Sequence, residues 1–277
     1  MKPKSIAALL HAARVQFNQA GIATAALDAR LLLQAASALT HEQIIAEAGA
    51  ILDPRTIQIF EHYVARRLQF EPVSRILGTR EFYGRNFRVT PDVLDPRSDT
   101  ECVVELALRL VKGPARFIDL GTGSGAIAVT LCAERAEFNG VASDLSAAAL
   151  SVARENAAVN KVDAQLSFHL GGWFEGVENK FDLIISNPPY IKAAANLMPD
   201  VANYDPHLAL FGGDDGLDAY RAIAAGAGKH LAAKGCVVVE NGAGQQGEIR
   251  AIFSAHGFEF VDHAKDIAGH IRGLAFK

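Results

Sequence analysis

The sequence predicts an α/β protein in which a small helical bundle precedes a mostly parallel, seven-stranded sheet whose last strand is antiparallel. Three observations lead to this fold class. Apolar residues recur at helical spacing through residues 1–75, apolar strands alternate with helical segments after residue 95, and the last two strands stand too close together for a helical crossover. We therefore predict a helical domain (1–75), a β-hairpin linker (76–95) and an α/β domain (96–277).

Helix caps, in addition to the apolar periodicity, support the predicted bundle. Ser5 precedes the first helical segment. Thr40 and Gln43 have the spacing of a capping box, and Asp53-Pro54 combines an N-cap with a proline at the first helical position. Arg66-Arg67 is predicted to lie on a solvated face of the fourth helix. The bundle either packs only against the α/β domain or holds a macromolecular substrate, and the sequence leaves both open.

The remaining elements are predicted from alternation and from apolar runs. Residues 80–89 alternate in polarity and pivot near Gly84, which indicates a β-hairpin. Seven strands follow, at 116–120, 139–143, 165–170, 181–186, 235–240, 258–263 and 271–276. Helical segments between the first five strands predict a parallel sheet that helices cover on both faces. The predicted architecture is therefore a Rossmann-like sheet.

Charge and cysteine content narrow the possible function classes. The 277-residue chain has a formal net charge of −4, divided into +2 for residues 1–76 and −6 for the rest, which disfavours nucleic-acid binding by the α/β domain. Cys102, Cys132 and Cys236 lack the spacing of a disulfide framework or a zinc site, so a cytoplasmic location is expected. No apolar stretch reaches the ~18 residues of a membrane span. We expect a monomer with no metal, no membrane and no direct nucleic-acid partner.

A glycine-rich turn after the first strand is the first candidate binding site. It consists of Gly121, Thr122, Gly123, Ser124 and Gly125. Glycines let the chain turn tightly and let a ligand approach the backbone, and Asp144 follows at a distance that suits a carboxylate binding both ribose hydroxyls of a nucleoside. Asp119 suits the cationic methionine end of S-adenosylmethionine better than a pyrophosphate. A dinucleotide loop stays open as an alternative, although Ala126 replaces its last glycine.

The turn Asn187-Pro188-Pro189-Tyr190 is the second candidate site. It follows the apolar strand at 181–186, and ligands of open α/β sheets bind at the carboxyl ends of strands. The Asn187 side-chain oxygen and the Pro188 carbonyl are two acceptors that can hold the hydrogens of a planar amide or exocyclic amine. The prolines stiffen the turn, and Tyr190 can stack on the flat group. This chemistry predicts alignment for methyl transfer rather than catalysis by a strong base.

Together with other segments, these motifs resemble a known family. The segments are 78–84 (Gly-x-Arg-Glu-Phe-Tyr-Gly), 96–101 (Pro-Arg-Ser-Asp-Thr-Glu), 119–125, 187–190 and 204–218. Along nearly its whole length the sequence is similar to bacterial peptide chain release factor glutamine N5-methyltransferases of the HemK/PrmC type. The resemblance implies a class I methyltransferase domain that methylates the glutamine of the Gly-Gly-Gln motif in class 1 release factors.

The resemblance also implies roles for individual residues. S-adenosylmethionine, which becomes S-adenosylhomocysteine, would be bound by Asp119, Gly121, Thr122, Gly123, Ser124, Gly125, Asp144, Trp173 and Asn187. Trp173 would lie beside the adenine, with simple core packing as the alternative for this residue. Asn187, Pro188, Pro189 and Tyr190 would grip the glutamine amide, and Asn187, Pro188 and Tyr190 would serve catalysis. The helical bundle would recognise the substrate protein.

Four positions depart from the family pattern. They are Asp95, Ser98, Asp205 and Asn241. None lies in the glycine loop or in the Asn-Pro-Pro-Tyr turn, so they bear on substrate positioning rather than on the reaction. Between the turn and the next helix, residues 191–220 lack a clear period, and we expect this long stretch to form a flap that contacts the substrate.

Three other functions compete with this interpretation. Glutamine methylation of a ribosomal protein needs the same chemistry. Adenine-N6 methylation of nucleic acid needs the same turn, but the acidic α/β domain speaks against it. A non-catalytic binding protein with this fold would predict a damaged loop, whereas Asp119, Asp144 and Asn187 are all present.

Overall fold

The chain divides into two compact units. The computed structural model describes residues 4–277, so the first three residues of the predicted bundle lie outside the described residues. The helical unit extends to Gly78 and also includes Met198–Tyr204. The α/β unit comprises Thr79–Leu197 and Asp205–Lys277, so the hairpin predicted as a linker falls within it.

The helical unit is built from helices that bury one apolar face each. They are α1 (Ile6–Gln19), α2 (Ala25–Ser37), α3 (His41–Ala46), α4 (Pro54–Leu68) and α5 (Val73–Leu77). Phe17, Leu32 and Phe60 lie at the centre of their common core. The N-cap of α1 is the Ser5 hydroxyl, and the Thr40 capping box begins α3. Local sequence therefore determines where these helices begin.

One prediction about the bundle is wrong. Arg67 does not lie on a solvated face: its Nε donates to Asp28 Oδ2 at 2.7 Å, and both side chains are about nine-tenths buried. Thr24 Oγ1 donates to the same oxygen at 2.9 Å. The neighbouring Arg66 pairs with Glu71 at the edge of the unit. The apolar pattern of α4 could not reveal this pairing, because Asp28 lies on a different helix.

Removing one partner of this buried pair should destabilise the fold. We expect Asp28→Ala to lower the free energy of unfolding by about 3–5 kcal/mol, because it leaves a buried guanidinium without its counter-charge. Glu61→Ala, which breaks the exposed Lys4–Glu61 pair, should cost at most about 1 kcal/mol. Urea denaturation followed by circular dichroism measures both. Equal losses for the two variants would contradict the expectation.

The α/β unit contains a hairpin and a seven-stranded sheet. In chain order, the helices and strands after Gly78 are β1 (Thr79–Phe82), β2 (Arg85–Arg88), α6 (Glu101–Leu110), β3 (Ala115–Leu120), α7 (Ala126–Glu134), β4 (Phe138–Asp144), α8 (Ala147–Val159), β5 (Leu166–Leu170), β6 (Phe181–Ser186), α9 (Pro199–Tyr204), α10 (Asp218–His230), β7 (Leu231–Glu240), α11 (Gln246–Ala255), β8 (Phe260–Lys265) and β9 (Ile271–Phe276). Of these, α9 belongs to the helical unit. The strand order is β5-β4-β3-β6-β7-β9-β8.

The sheet confirms the predicted fold class. Strands β3 to β7 pair in parallel, and β9 pairs antiparallel with both β7 and β8. Along β6, Leu183 and Ile185 belong to one hydrophobic core and Ile184 belongs to another, because successive side chains point to opposite faces of a strand. A core therefore lies on each face of the sheet.

The hairpin turns where the sequence predicts a pivot. Tyr83 (φ 52°) and Gly84 (φ 71°) form a two-residue turn between β1 and β2. A turn with positive φ at both central positions matches the twist of the paired strands, which is why glycine suits the second position.

The stretch at 191–220 has more structure than its lack of period predicts. It contains α9, a 3-10 turn at His207–Ala209, and a parallel bridge between Ile191 and Phe211. Tyr204 Oη donates to the Gln69 carbonyl at 3.0 Å, which ties α9 to its partners within the helical unit. The role of this stretch as a flap stays a prediction.

Candidate active site

A cavity of about 410 Å³ lies at the carboxyl ends of β3, β4 and β6. These strands are neighbours in the sheet, and the chain reverses its winding direction between β3 and β6, where open α/β sheets bind their ligands. The predicted residues that line it are Gly121, Thr122, Gly123, Ser124, Asp144, Trp173, Asn187 and Pro189. Four other predicted residues do not line the cavity but lie within two positions of residues that do: Asp119, Gly125, Pro188 and Tyr190.

The glycine loop needs its glycines for two reasons. Gly121, Gly123 and Gly125 have φ values of 70°, 55° and 81°, in the left-handed region that other residues adopt only at a cost. A Cβ on Gly125 would also lie 3.1 Å from the Cβ of Ala153 on α8. The loop therefore brings the backbone close to the cavity and packs α7 closely against α8.

Asp144, at the end of the adjacent strand β4, forms a hydrogen bond with the glycine loop. Its Oδ2 accepts the Gly123 N–H at 2.8 Å, and its Oδ1 accepts the Ser146 N–H at 2.9 Å. A carboxylate has about four acceptor positions, so two backbone donors leave capacity for two hydroxyl groups from the cavity. This geometry fits a ribose.

The Asp119 carboxyl is buried behind the glycine loop, and its pKa is raised. It is fully buried, and its Oδ2 accepts from the Thr122 hydroxyl at 2.6 Å. Among residues 4–277, its Oδ1 has no hydrogen-bond partner. Burial raises the pKa of this carboxyl to about 7, against the lowering effect of the Thr122 hydroxyl. The backbone N–H of Ala128 also lowers the pKa of Asp119, and the carboxyl lies outside the cavity lining, so it would act on a positively charged ligand through its charge.

Trp173 contacts the cavity and the core at once. It lines the cavity and packs, half-buried, against the hydrophobic core that contains Tyr220. Its φ of 46° is rare for a bulky residue and is retained only where surrounding packing holds it. Both interpretations of Trp173 therefore have a structural basis.

The Asn-Pro-Pro-Tyr turn begins where β6 ends. Ser186 Oγ donates to the Leu120 carbonyl at 2.7 Å, which joins the ends of β6 and β3. Asn187 Nδ2 donates to Thr100 Oγ1 at 3.2 Å, and Tyr190 Oη donates to Glu240 Oε1 at 3.4 Å. The turn is thus held at both of its ends by residues from other elements.

Several of these supporting residues were missed from sequence. Asn156, buried on α8, donates to the Ser124 carbonyl at 2.8 Å and also bonds both backbone groups of Arg88. Gln245 Nε2 donates to the Tyr190 carbonyl at 3.1 Å. Isolated amides carry no sequence signal. Glu240 did offer one, since it is a charged residue that directly follows the apolar run 236–239.

Three of the four departures from the family pattern are buried, and Ser98 is exposed next to Arg97, which lines the cavity. Asp205 Oδ2 accepts from Arg97 at 2.7 Å, and Asp95 lies near Asp205 and is buried. Asn241 is buried, and its side-chain nitrogen donates to the Ile271 carbonyl at 3.0 Å. Ser98 begins a short 3-10 turn that ends at Thr100. The departures therefore lie in the supporting structure, as expected for positions outside the two motifs.

Two kinds of feature are missing from residues 4–277. Within that range, no group of three or more histidine, cysteine, aspartate or glutamate side chains could hold a metal ion. No helix in the same range has the length and apolar character needed to cross a membrane.

Two family models match the sequence in tandem. The PrmC N-terminal domain matches residues 8–78, and the methyltransferase small domain matches residues 104–203. The first corresponds to the helical unit, and the second contains the glycine loop and the Asn-Pro-Pro-Tyr turn.

Curated relatives match over almost the entire chain. The release factor glutamine methyltransferase of Cereibacter sphaeroides is 46% identical over 265 residues, which cover 95% of each protein. The protein of the same name from Agrobacterium fabrum is 41% identical over 281 residues, which cover 99% of this chain and 97% of that protein. Similarity of this extent spans both units.

Solved structures support the fold. A methyltransferase from Pyrococcus furiosus has a TM-score of 0.52 at 20% identity and covers 70% of this chain and 89% of its own. A ribosomal protein L11 methylase from Lactobacillus delbrueckii subsp. bulgaricus has a TM-score of 0.50 at 22% identity and covers 65% and 78%. Given the near full-length similarity to curated relatives, the chain belongs to the release factor glutamine methyltransferase family and is an S-adenosylmethionine-dependent methyltransferase.

Proposed function

We propose that this protein methylates the side-chain amide N5 of the glutamine in the Gly-Gly-Gln motif of class 1 peptide chain release factors, in the cytoplasm. The observation that carries the proposal is the position of Asn187 on the cavity wall. Because Thr100 accepts from the side-chain nitrogen, the side-chain oxygen is left to accept a hydrogen from a substrate amide. The names of the similar proteins supply the substrate.

The cavity wall has the donors and acceptors that S-adenosylmethionine needs. Asp144 would accept the ribose hydroxyls, the 121–125 loop would approach the methionine portion, and Trp173 would lie against the adenine. Asp119 would offset the positive charge of the methionine end. When bound, the cofactor supplies an activated methyl group to a nucleophile held in line with it.

The substrate amide needs orientation because its lone pair is delocalised. Asn187 Oδ1 and the Pro188 carbonyl would accept its two hydrogens, and Tyr190 would stack on its plane. Two fixed acceptors stabilise the positive charge that develops on nitrogen during transfer, and the buried Pro188 keeps the turn rigid. The helical unit would bind the body of the release factor, which is the role proposed for residues 4–78.

A comparison of candidate substrates tests the proposal. Purified protein is incubated with methyl-labelled S-adenosylmethionine and, separately, unmodified class 1 release factor, ribosomal proteins and total RNA. We expect label on release factor alone. Transfer only to a ribosomal protein or to RNA would keep the methyltransferase and overturn the substrate. A release factor with the motif glutamine replaced by alanine is the matched control.

The affinity for S-adenosylmethionine should depend on pH through Asp119. In the ligand-free protein the pKa of this carboxyl is raised to about 7 by burial, so below that pH it is mostly neutral. The cationic ligand favours the ionised form, and binding must then expel a proton. We expect the Kd to rise by up to about tenfold per pH unit as pH falls below 7.

Calorimetric titration between about pH 5.5 and 7 measures this dependence. Asp119→Asn cannot ionise, so its Kd should be weaker but nearly constant over the same range. The same pH slope in Asp119→Asn and in the unmodified chain would show that another group titrates.

A further inference from the structure

A buried carboxylate behind the Asn-Pro-Pro-Tyr turn has no part in the chemistry described so far. Glu240 ends β7, which neighbours β6 in the sheet, and its side chain is almost completely buried. The Tyr190 hydroxyl donates to its Oε1 at 3.4 Å. A buried carboxyl group is costly unless other groups compensate it, so this residue calls for an explanation.

Thr100 holds the other end of the same turn. It lines the cavity, and its hydroxyl oxygen accepts from Asn187 Nδ2 at 3.2 Å. A hydroxyl that accepts one hydrogen bond still has its own proton to donate. The Thr100 hydroxyl lowers the pKa of Glu240, so the two groups interact electrostatically; within residues 4–277 no hydrogen bond joins them, and Glu240 Oε2 has no hydrogen-bond partner there.

The direction of these hydrogen bonds matters for Asn187. An amide carries its donor nitrogen and its acceptor oxygen on the same rigid plane, so a partner that accepts from the nitrogen also determines where the oxygen points. A Thr100 hydroxyl that donated its proton to the amide would favour the flipped amide instead. An ionised Glu240, which can only accept, biases the hydroxyl proton away from Asn187.

We propose that Thr100 and Glu240 are positioning residues for methyl transfer: Glu240 orients the Thr100 and Tyr190 hydroxyls, and Thr100 holds the Asn187 amide with its oxygen toward the substrate nitrogen. The inference rests on the proposed function, because it assumes that the Asn187 oxygen receives a substrate amide. It adds two residues to the reaction, neither of which belongs to the Asn-Pro-Pro-Tyr turn or to the cofactor loop.

Protonation of Glu240 should disturb this arrangement. Several groups from other elements face the carboxyl or interact with it: Asp99, Thr100, Cys102, Tyr190, Tyr220 and Arg272. Burial raises the pKa of Glu240 to about 7, while the Thr100 hydroxyl and the Arg272 guanidinium oppose the rise. Below that pH the carboxyl gains a proton and loses its negative charge, so it attracts the Thr100 and Tyr190 hydroxyl protons less strongly.

A pair of variants at Thr100 tests the first part. Thr100→Val removes the hydroxyl with little change of shape, and Thr100→Ser keeps it. We expect Thr100→Val to lower kcat by about 10- to 100-fold, because a misdirected amide loses alignment, with the KM for S-adenosylmethionine within about twofold of the unmodified protein. Thr100→Ser should retain most of the rate. Equal kcat in the two variants would overturn the role of Thr100.

The pH profile of kcat at saturating S-adenosylmethionine tests the role of Glu240. It tests the proposal even if Thr100→Val does not fold. The unmodified protein should lose about tenfold in kcat per pH unit below about pH 7. Glu240→Gln cannot ionise and should lack this acidic limb. An unchanged acidic limb in Glu240→Gln would overturn the role of Glu240.

The outcomes separate this inference from the proposed function. If the unmodified protein transfers no methyl group to release factor, the proposed substrate is wrong. The Thr100 and Glu240 variants are then compared on whichever substrate the unmodified protein methylates, and the same ratios apply. If release factor is methylated and the variants match the unmodified protein, only the positioning role fails.

Discussion

Asn187→Ala should lower kcat for methylation of release factor by about 100- to 1000-fold, the usual cost of deleting one preorganised hydrogen-bonding group that stabilises developing charge. The variant removes the side-chain oxygen that would accept a hydrogen of the substrate amide. It also removes the donor to Thr100, so nothing at this position aligns the nitrogen with the methyl group. A side chain shortened at the cavity wall should still admit the cofactor.

The measurement is single-turnover transfer of labelled methyl, with the Kd for S-adenosylmethionine determined in parallel. Asn139→Ala makes the same chemical change at an exposed position on β4 and should leave both values unaltered. A loss of cofactor affinity large enough to account for the slower rate would contradict a role in aligning the amide.

Asp144→Ala should weaken binding of S-adenosylmethionine by about 10- to 150-fold, equivalent to the 1.5–3 kcal/mol of a hydrogen bond to a charged group. The carboxylate would lose the ribose hydroxyls, and the Gly123 N–H that it now accepts would lose its partner. Both effects act on the ligand-binding loop. The rate at saturating cofactor should fall much less than the affinity, because the role proposed for Asp144 is to bind the ribose and not the substrate amide.

Calorimetric titration with S-adenosylmethionine and with S-adenosylhomocysteine tests this expectation, since both share the ribose. Asp163→Ala, at an exposed position before β5, is the matched control. Unaltered affinity in Asp144→Ala would mean that the ribose binds elsewhere in the cavity.

The fold was predictable because its signals are local. The apolar runs that predict the parallel strands differ from the observed strands by at most four residues at an end, and the capping box at Thr40 is present as expected. Buried strands and helix caps depend on residues close together in sequence, so their patterns survive without knowledge of the tertiary structure. The antiparallel last strand followed from the short connection between β8 and β9.

The prediction failed where a residue depends on a distant partner. Arg67 is buried because Asp28, on another helix, supplies its counter-charge. The helix α9 forms within a stretch that has no period of its own, and it belongs to the helical unit through residues far away in the chain. Neither pairing leaves a trace in the local pattern, since each depends on segments that only the folded chain brings together.

The residues of the candidate site also differ in whether local sequence or distant partners determine their role. The glycine loop, Asp144 and Asn187 were identifiable, because their residue types follow from the backbone geometry and chemistry of the positions themselves. Thr100 offered no comparable signal, and the charge of Glu240 after an apolar run does not reveal its partners, because both residues act through contacts between β7, the turn after β6 and a segment before α6. Sequence therefore identified groups expected to touch ligands and missed those that hold them.

The central claim is that Asn187 directs a methyl group to the glutamine amide of a release factor. The most direct measurement is the fragment mass spectrum of release factor after incubation with S-adenosylmethionine and either the unmodified protein or Asn187→Ala. We expect a gain of one methyl group on the side chain of the Gly-Gly-Gln glutamine with the unmodified protein, and we expect this gain to be absent or strongly reduced with Asn187→Ala. A methyl group on any other residue, or equal methylation by the variant, would contradict it.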